Sequence, residues 1–268
     1  MIALPTMLSR ALVRRLSSVV TGFSALLAFC CALCAFSVVA SEYTVSPMRM
    51  ELDRDARSTV LTLTNIGTDR IEFQLRASEW TQDAQGRDRY SDTGELVFFP
   101  KILSLEPNDS RVVRIGIKSV PVSVERTFRL FIEKIPSPNP EPPPPGAHVA
   151  VNVRFALPIF VKPPVHEAKG ELAGAAIARS ELAFVLKNTG NEHFRMDDGI
   201  TIIGRDGQGG VVFSRKLDDR YVLAGVAKRY VATIPQETCR QTAALEVTAK
   251  SELFTLSRRL DVNRTDCE

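Results

Sequence analysis

Short runs in which apolar and polar residues alternate recur along the chain from about residue 59 onward. A period of two is typical of β-strands with one buried face, and no window shows helical spacing of apolar residues over three turns. The runs that predict strands most clearly are residues 59–64, 71–75, 112–117, 128–135 and 149–161. Many short strands separated by turn residues predict an all-β protein built from sandwiches.

One strand–turn–strand unit occurs twice. The sequence LTLTNIG ends at Gly67 and FVLKNTG ends at Gly190, so that Asn65 and Asn188 occupy the same place in each copy. A repeated unit predicts two sandwiches, although strand–Asn–x–Gly–strand is also a common hairpin signal that can recur by coincidence. Prolines 163 and 164 end the long last strand of the first unit. We therefore expect a first domain at residues 41–164 and a second at 165–268.

The run that ends at Val161 is long for a single strand. Its odd positions are all apolar: Val149, Val151, Val153, Phe155, Leu157, Ile159 and Val161. One interpretation is an interior strand whose odd face lies in its own core. The other is a strand that extends beyond its own sheet, so that its first valines are available to a partner that lacks a strand.

A second candidate is Arg49, which lies close after Pro47. Proline restricts this segment to a sheet edge or to a switch between two sheets. Arg49 can be an ordinary exposed strand residue. A guanidinium also binds a carboxylate through two parallel hydrogen bonds, which would suit capture of a partner's terminal carboxylate.

The first forty residues have the pattern of a secretory signal peptide. Basic residues end at Arg15, an apolar run follows, and small residues end it at Ala40. The alternative is an uncleaved membrane anchor, since the apolar run is long enough to span a bilayer. An exported protein can carry disulfides, so we predict one between the two cysteines beyond this segment, Cys239 and Cys267; two free thiols are the alternative.

Charge and motifs exclude several functions. Residues 1–40 hold three arginines and no acid, which leaves 31 basic and 31 acidic residues in the rest of the chain. A neutral chain has no electrostatic basis for binding nucleic acid. The three histidines are scattered, and no metal-binding, nucleophile or phosphate-loop motif is present. We predict no enzyme, no cofactor, no metal site and no small-molecule substrate.

Several stretches in this order carry a family resemblance. They are Ser104–Pro107 followed by Val113-Arg114-Ile115, the strand that ends in Glu-Lys-Ile-Pro136, and Ala156–Pro163. Together they resemble the periplasmic chaperones of the chaperone–usher pathway, which assemble pili and fimbriae. The resemblance covers residues 41–164 and extends weakly beyond them. It implies two immunoglobulin-like sandwiches set at an angle, with a cleft between them.

The resemblance also implies roles for individual residues. The family donates its seventh strand to a fibre subunit, and Val149, Val151 and Val153 match the alternating donor residues. Arg49 matches the arginine that binds the subunit's terminal carboxylate. The residues that match the family's interdomain salt bridges are Glu125 and Lys162, and the aspartate that the second domain contributes has no clear counterpart between Glu246 and Asp261. The implied partners are a fimbrial subunit and an outer-membrane usher.

One position departs from the family pattern. The lysine that accompanies the cleft arginine is replaced by Pro158. Arg154 has the same parity and is a candidate substitute, and Arg49 alone is the other possibility. A competing function is that of a secreted two-domain fibre or surface component. The short segment before Pro47 offers little sequence for onward strand donation and favours the chaperone.

Overall fold

The computed structural model describes residues 43–83, 85–121, 123–136, 153–218 and 220–268. The predicted signal peptide, the proline-rich residues 138–145, and the predicted donor residues Val149 and Val151 lie outside these ranges. The described residues are almost entirely strands and turns. The predicted all-β fold class is therefore confirmed.

The described residues before Lys162 form two sheets that face each other. The strands are β1 (Tyr43–Ser46), β2 (Met50–Leu52), β3 (Ser58–Asn65), β4 (Ile71–Gln82), β5 (Asp88–Asp92), β6 (Leu96–Phe99), β7 (Ile102–Leu105), β8 (Ser110–Ile117), β9 (Arg126–Ile135) and β10 (Arg154–Val161). One sheet has the order β1-β3-β8-β6. The other has the order β2-β10-β9-β4-β5, with β7 also paired to β4.

Residues after Lys162 form a second pair of sheets. Their strands are β11 (Gly170–Ala178), β12 (Glu181–Asn188), β13 (Phe194–Arg205), β14 (Val211–Leu217), β15 (Tyr221–Val222), β16 (Ala227–Thr233), β17 (Ala244–Ser251) and β18 (Thr255–Asp261). The sheet orders are β11-β12-β16 and β14-β13-β17-β18, with β15 paired to β13. A short α-helix, Gln236–Gln241, and a 3-10 helix, Arg264–Cys267, complete this half.

Each half has its own apolar core, and in the described residues no ladder joins a strand of one half to a strand of the other. The first core includes Leu61, Phe73 and Phe128, and the second includes Leu182, Phe184 and Phe194. Separate cores allow each half to bury its own sheet faces. We call the two halves the first and second sandwich.

The repeated Asn-x-Gly unit is the same structural device in both sandwiches. The Asn65 side chain accepts a hydrogen bond from the Gly67 N–H and donates to the carbonyls of Asp69 and Leu105. Asn188 accepts from the Gly190 N–H and donates to two carbonyls in the same way. Both asparagines are fully buried. Each satisfies backbone groups where the chain leaves a strand, which explains why the unit recurs.

Strand β4 continues seven residues beyond the predicted end at Leu75. Up to Leu75 the odd residues face the first core, but Ser78 and Trp80 are buried on the opposite face. That face is covered by residues of the second sandwich, including Tyr221. Beyond Leu75 the sequence therefore no longer alternates between an apolar and a polar face, although the strand itself continues to Gln82.

Cys239 and Cys267 are joined by a disulfide, with their Cα atoms 5.7 Å apart. Both cysteines are buried in the second core. The bond ties the short α-helix to the 3-10 helix at the end of the chain and closes a loop with a sequence separation of 28.

We expect the double substitution Cys239→Ser/Cys267→Ser to destabilise the second sandwich by about 3–4 kcal/mol, because loop closure no longer restricts the unfolded chain. Urea unfolding with and without reductant measures this difference. Reductant should destabilise the unsubstituted protein and leave the double serine variant unchanged. Equal sensitivity of the two proteins would contradict the prediction.

Candidate functional site

Strand β10 is paired on both sides over only part of its length. It runs antiparallel to β9 from Arg154 to Val161, but parallel β2 accompanies it only from Ile159 to Val161. Among the described residues, Arg154–Pro158 has β9 as its single strand neighbour. The first part of β10 is therefore a sheet edge, where backbone groups are available to a further strand.

Burial increases along the odd face of this strand. Val153 is 38% exposed, Phe155 is half-buried against the first core, and Leu157 is 1% exposed. Tyr43 contacts the start of the strand, since its hydroxyl donates to the Val153 carbonyl at 3.2 Å and its ring meets Phe155 edge-on. An apolar row that emerges from the core at an open edge is suited to strand addition.

The even face of β10 meets the second sandwich. Phe160, Trp80, Tyr221 and Leu223 form a buried cluster, which we call the interdomain aromatic cluster. The ring of His193 stacks on Phe160 with centroids 3.5 Å apart. The sequence analysis did not single out Phe160, because an apolar residue on the polar face of a strand is explained only by a neighbour from elsewhere in the chain.

Polar contacts join the two sandwiches beside this cluster. The Glu125 carboxylate accepts a hydrogen bond from the His193 backbone N–H at 3.0 Å and lies 2.9 Å from Nδ1 of its ring. Lys162 Nζ lies 2.9 Å from Glu51 and 3.6 Å from Glu192. The two residues named from sequence, Glu125 and Lys162, thus both contact the second sandwich. Their partners there were not predicted.

Arg49 lies in the turn where the chain passes from β1 in one sheet to β2 in the other. Its guanidinium forms an ion pair with Glu51 and lies 3.4 Å from a carboxylate oxygen of Glu252 in the second sandwich. Its Cζ is 5.4 Å from the centre of the Phe160 ring. Arg49 therefore points towards the second sandwich and remains partly exposed to solvent.

Charged side chains around Arg49 form one connected group of ion pairs. Burial alone would raise the pKa of the Glu51 carboxyl, but hydrogen bonds from Lys162 and Arg49 outweigh it and hold this pKa below its usual value. Arg195 forms a further ion pair with Glu252. The connected group contains three cations and four carboxylates, namely Arg49, Lys162, Arg195, Glu51, Glu192, Asp197 and Glu252.

Arg154 is placed apart from Arg49. Its Nε lies 2.8 Å from Glu133, and its Cζ lies 4.1 Å from the centre of the Phe131 ring. It is four residues before Pro158, which corresponds to about 13 Å along an extended strand. The structure thus brings Arg49, Glu125 and Lys162 to the contact between the sandwiches, but leaves Arg154 farther along the same face of the sheet, away from Arg49.

Arg129 occupies a position that the sequence analysis did not identify. It lies on β9 directly opposite Pro158. Its guanidinium covers the Trp80 ring, with Cζ 3.7 Å from the ring centre, and its NH1 donates to the Ala156 carbonyl at 3.0 Å. Burial lowers the pKa of Arg129. The alternation within β9 gave no sign that this side chain would meet the second sandwich.

The described residues contain neither a metal-binding cluster nor a membrane-spanning helix. No group of three or more histidine, cysteine or acidic side chains there is arranged to hold a metal ion. No helix in the same ranges is long and apolar enough to cross a membrane.

Comparison with protein families gives one match. Residues 42–166 match the family described as pili and flagellar-assembly chaperone, PapD N-terminal domain. No curated protein matches the chain by sequence.

Solved structures share the fold at low sequence identity. A chain of the CsuC–CsuE chaperone–tip adhesion subunit pre-assembly complex, from archaic chaperone–usher Csu pili of Acinetobacter baumannii, matches with a TM-score of 0.55 and 15% identity, covering 81% of this chain and 97% of that chain. The YadV chaperone matches with a TM-score of 0.54 and 11% identity, covering 82% and 100%. The class 5 fimbriae chaperone CfaA matches at 0.52 and 13%, covering 81% and 98%.

Proposed function

Since residues 42–166 place this chain in the pili and flagellar-assembly chaperone family, we propose that it binds a fimbrial or pilus subunit in the periplasm by strand donation and delivers it to an outer-membrane usher. Chaperones of this family are periplasmic and are not enzymes, which agrees with the absence of catalytic motifs in the sequence. The similar Csu structure is a complex of a chaperone with a subunit.

The observation that carries this proposal is the half-paired strand β10. Its odd face becomes exposed towards Val153 while its backbone edge has no second strand beside Arg154–Pro158 in the described residues. A subunit that lacks one strand has an apolar groove that aggregates when exposed. Adding the free part of β10 to that groove would satisfy its backbone groups and cover its apolar pockets.

Arg49 supports the second part of the binding mode. A strand can slip along its neighbour by two residues without changing which side chains face inward, and a slip of one residue turns them all outward. Fixing the subunit's terminal carboxylate at one point removes this freedom. Arg49 lies beside the last residues of β10 and can provide that point through a bidentate ion pair. The mechanism needs no nucleotide or cofactor.

The proposal is tested by purifying the tagged full-length protein from the periplasm of its own host and identifying what accompanies it by mass spectrometry. A fimbrial subunit in stoichiometric amount is the expected result. Gel filtration of the protein without its partner should give a species that does not polymerise. A protein that forms fibres by itself, or that recovers no subunit, would contradict the chaperone function.

A separate surface supports delivery to the usher. The outward face of the β1-β3-β8-β6 sheet carries Arg114 with Val60 opposite it on one side and Phe99 on the other. Phe99 is 77% exposed, and Val60 and Val112 are also exposed. Exposed apolar clusters of this kind are typical of interaction surfaces. This face belongs to the sheet that does not contain β10, so that a second protein can bind while the subunit is held.

We expect Phe99→Ser to retain the subunit but to lose the usher, because the largest apolar side chain of this face is removed without changing β10. Pull-down of the variant, with immunoblots for both partners, measures the two interactions separately. Thr62→Ser, on the same face, is the matched control and should retain both. Normal recovery of the usher with Phe99→Ser would show that this face is not its binding site.

A further inference from the structure

The backbone groups on the open edge of β10 belong to alternate residues. The Lys162 N–H donates to the Leu52 carbonyl of β2 at 2.8 Å, so this amide points towards the edge on which β2 lies. Successive residues of a strand point their N–H and C=O groups to opposite sides. The even residues Arg154, Ala156 and Pro158 therefore present theirs at the open edge, and the odd residues present theirs to β9.

Pro158 leaves one position of this edge without a donor. A proline has no backbone N–H, so β10 offers no hydrogen at this point to a strand that pairs along the edge. The ladder with β2 begins at the following residue, where Ile159 lies opposite Met50. A parallel added strand would need the Ala156 carbonyl together with the N–H of residue 158, and an antiparallel one would need both groups of residue 158. Either set of bonds is incomplete here.

Arg129 occupies the acceptor that the missing donor would leave alone. Its side chain comes from β9, where it lies opposite Pro158, and its Nη1 donates to the Ala156 carbonyl at 3.0 Å. This bond satisfies a carbonyl that has no ladder partner on the open edge among the described residues. Of the last donor and the last acceptor before the β2 ladder, one is thus missing and the other is occupied.

The Arg129 side chain is held in this position by aromatic rings of both sandwiches. Its Cζ lies 3.7 Å from the centre of the buried Trp80 ring and 5.7 Å from the centre of the Tyr221 ring. A guanidinium is attracted by the face of an aromatic ring, and more strongly where water is excluded. Tyr221 belongs to the second sandwich, so the contact between the sandwiches also fixes the arginine that covers the edge of β10.

We infer that Pro158 and Arg129 form a stop, beyond which a partner strand cannot pair with β10. The inference rests on the proposed strand donation and adds where the shared ladder ends: the last donor available to the partner on this edge is the Ala156 N–H. Such a stop opposes the two-residue slip that side-chain alternation allows. It also keeps the added strand away from the interdomain aromatic cluster, which includes Phe160 on the same strand.

Amide hydrogen exchange shows directly where the shared ladder ends. The full-length protein, with isotopically labelled alanine, is compared by NMR alone and in complex with the subunit that co-purifies from its host. We expect the Ala156 amide to exchange at least about tenfold more slowly in the complex, because a hydrogen bond to the partner must first break. Pro158→Ala introduces an amide at the stop, and this amide should exchange equally fast with and without the subunit.

The double variant Pro158→Ala/Arg129→Met removes both parts of the stop. Methionine keeps an unbranched apolar side chain over Trp80 and donates no hydrogen bond. The new amide at position 158 should now exchange at least about tenfold more slowly in the complex. The matched control is Pro158→Ala/Arg76→Met, because Arg76 is an exposed arginine that also lies over an aromatic ring. It should behave like Pro158→Ala alone.

These exchange rates test each part of the stop. Slow exchange of the new amide in the complex of Pro158→Ala alone would show that Arg129 is not part of the stop. Fast exchange in the complex of the double variant would show that the ladder ends for another reason, and would overturn the inference.

A second experiment moves the stop towards the start of β10. Ala156→Pro removes the last donor available to the partner but no bond to β9, because this N–H faces the open edge. Subunit recovery should fall at least about tenfold. Val165→Pro adds a proline after the end of β10, at a residue that is 80% exposed, and should recover the subunit normally. Thermal unfolding shows whether each variant is folded, and if Arg129→Met is not, Ala156→Pro and Pro158→Ala decide.

The outcomes distinguish this inference from the proposed function. If Ala156→Pro retains the subunit, or if the Ala156 amide exchanges equally fast in the complex, the chaperone function stands and the stop is wrong. If no subunit accompanies the unsubstituted protein, strand donation itself fails and the stop fails with it.

Discussion

Arg49→Ala is expected to abolish recovery of the subunit and to leave the protein folded. Truncating one member of a desolvated charge pair weakens binding by about 2–5 kcal/mol, or roughly 30- to 4,000-fold. The ion pairs that Arg49 makes in the free protein are partly exposed and contribute little to stability. Lys162 continues to compensate Glu51, and Arg195 continues to compensate Glu252, so no carboxylate is left unpaired.

The measurement is the amount of subunit that accompanies each tagged variant, with thermal unfolding to confirm that the variant is folded. Arg70→Ala is the matched control, because Arg70 is also an exposed arginine with two carboxylate partners, Glu72 and Glu106. It should recover the subunit normally. Unreduced recovery with Arg49→Ala would remove the carboxylate anchor from the mechanism.

Val153→Asp is expected to prevent complex formation. In the proposed complex this valine enters an apolar groove of the subunit, and burying it contributes about 1.5–3 kcal/mol. An unpaired carboxylate at the same place is more costly still, so the affinity should fall by at least about 100-fold. In the free protein Val153 is 38% exposed, so the substitution should not affect folding. The alternation of the sequence predicts the same result for Val151→Asp.

Val165→Asp provides the matched control. Val165 is 80% exposed and follows the end of β10, so the same chemical change is made outside the donor strand. Co-purification of the subunit with each variant measures the effect. An unchanged complex with Val153→Asp would mean that this part of the chain serves only its own sandwich.

The strands that lie in a single core were predictable because their pattern depends only on local geometry. The runs at 59–64 and 112–117 became β3 and β8, which have one face in the first core and one in solvent. The repeated Asn-x-Gly unit was predictable for the same reason, since each asparagine satisfies backbone groups of its own turn and of a neighbouring strand end. The second asparagine forms the same bonds in the second sandwich.

Residues at the contact between the sandwiches were not predictable in this way. Trp80 and Phe160 interrupt the alternation of β4 and β10, because the second sandwich covers the face that would otherwise be polar. His193 and Glu252 carry no local signal that connects them with Glu125 and Arg49, which lie 68 and 203 residues away in sequence. Glu252 lies within the segment Glu246–Asp261, but nothing in the local sequence distinguishes it as the acidic residue that contacts Arg49.

The chain's own sequence determined the all-β class, the two related sandwiches and the strand that ends at Val161, because strand periodicity and turn chemistry are properties of neighbouring residues. Only the tertiary structure decided that β10 has one open edge, that Arg49 faces the second sandwich, and that Arg129 lies in the row of Pro158. These facts depend on which strands pair and in which register. Pairing joins residues that are distant in the chain, and no local pattern specifies it.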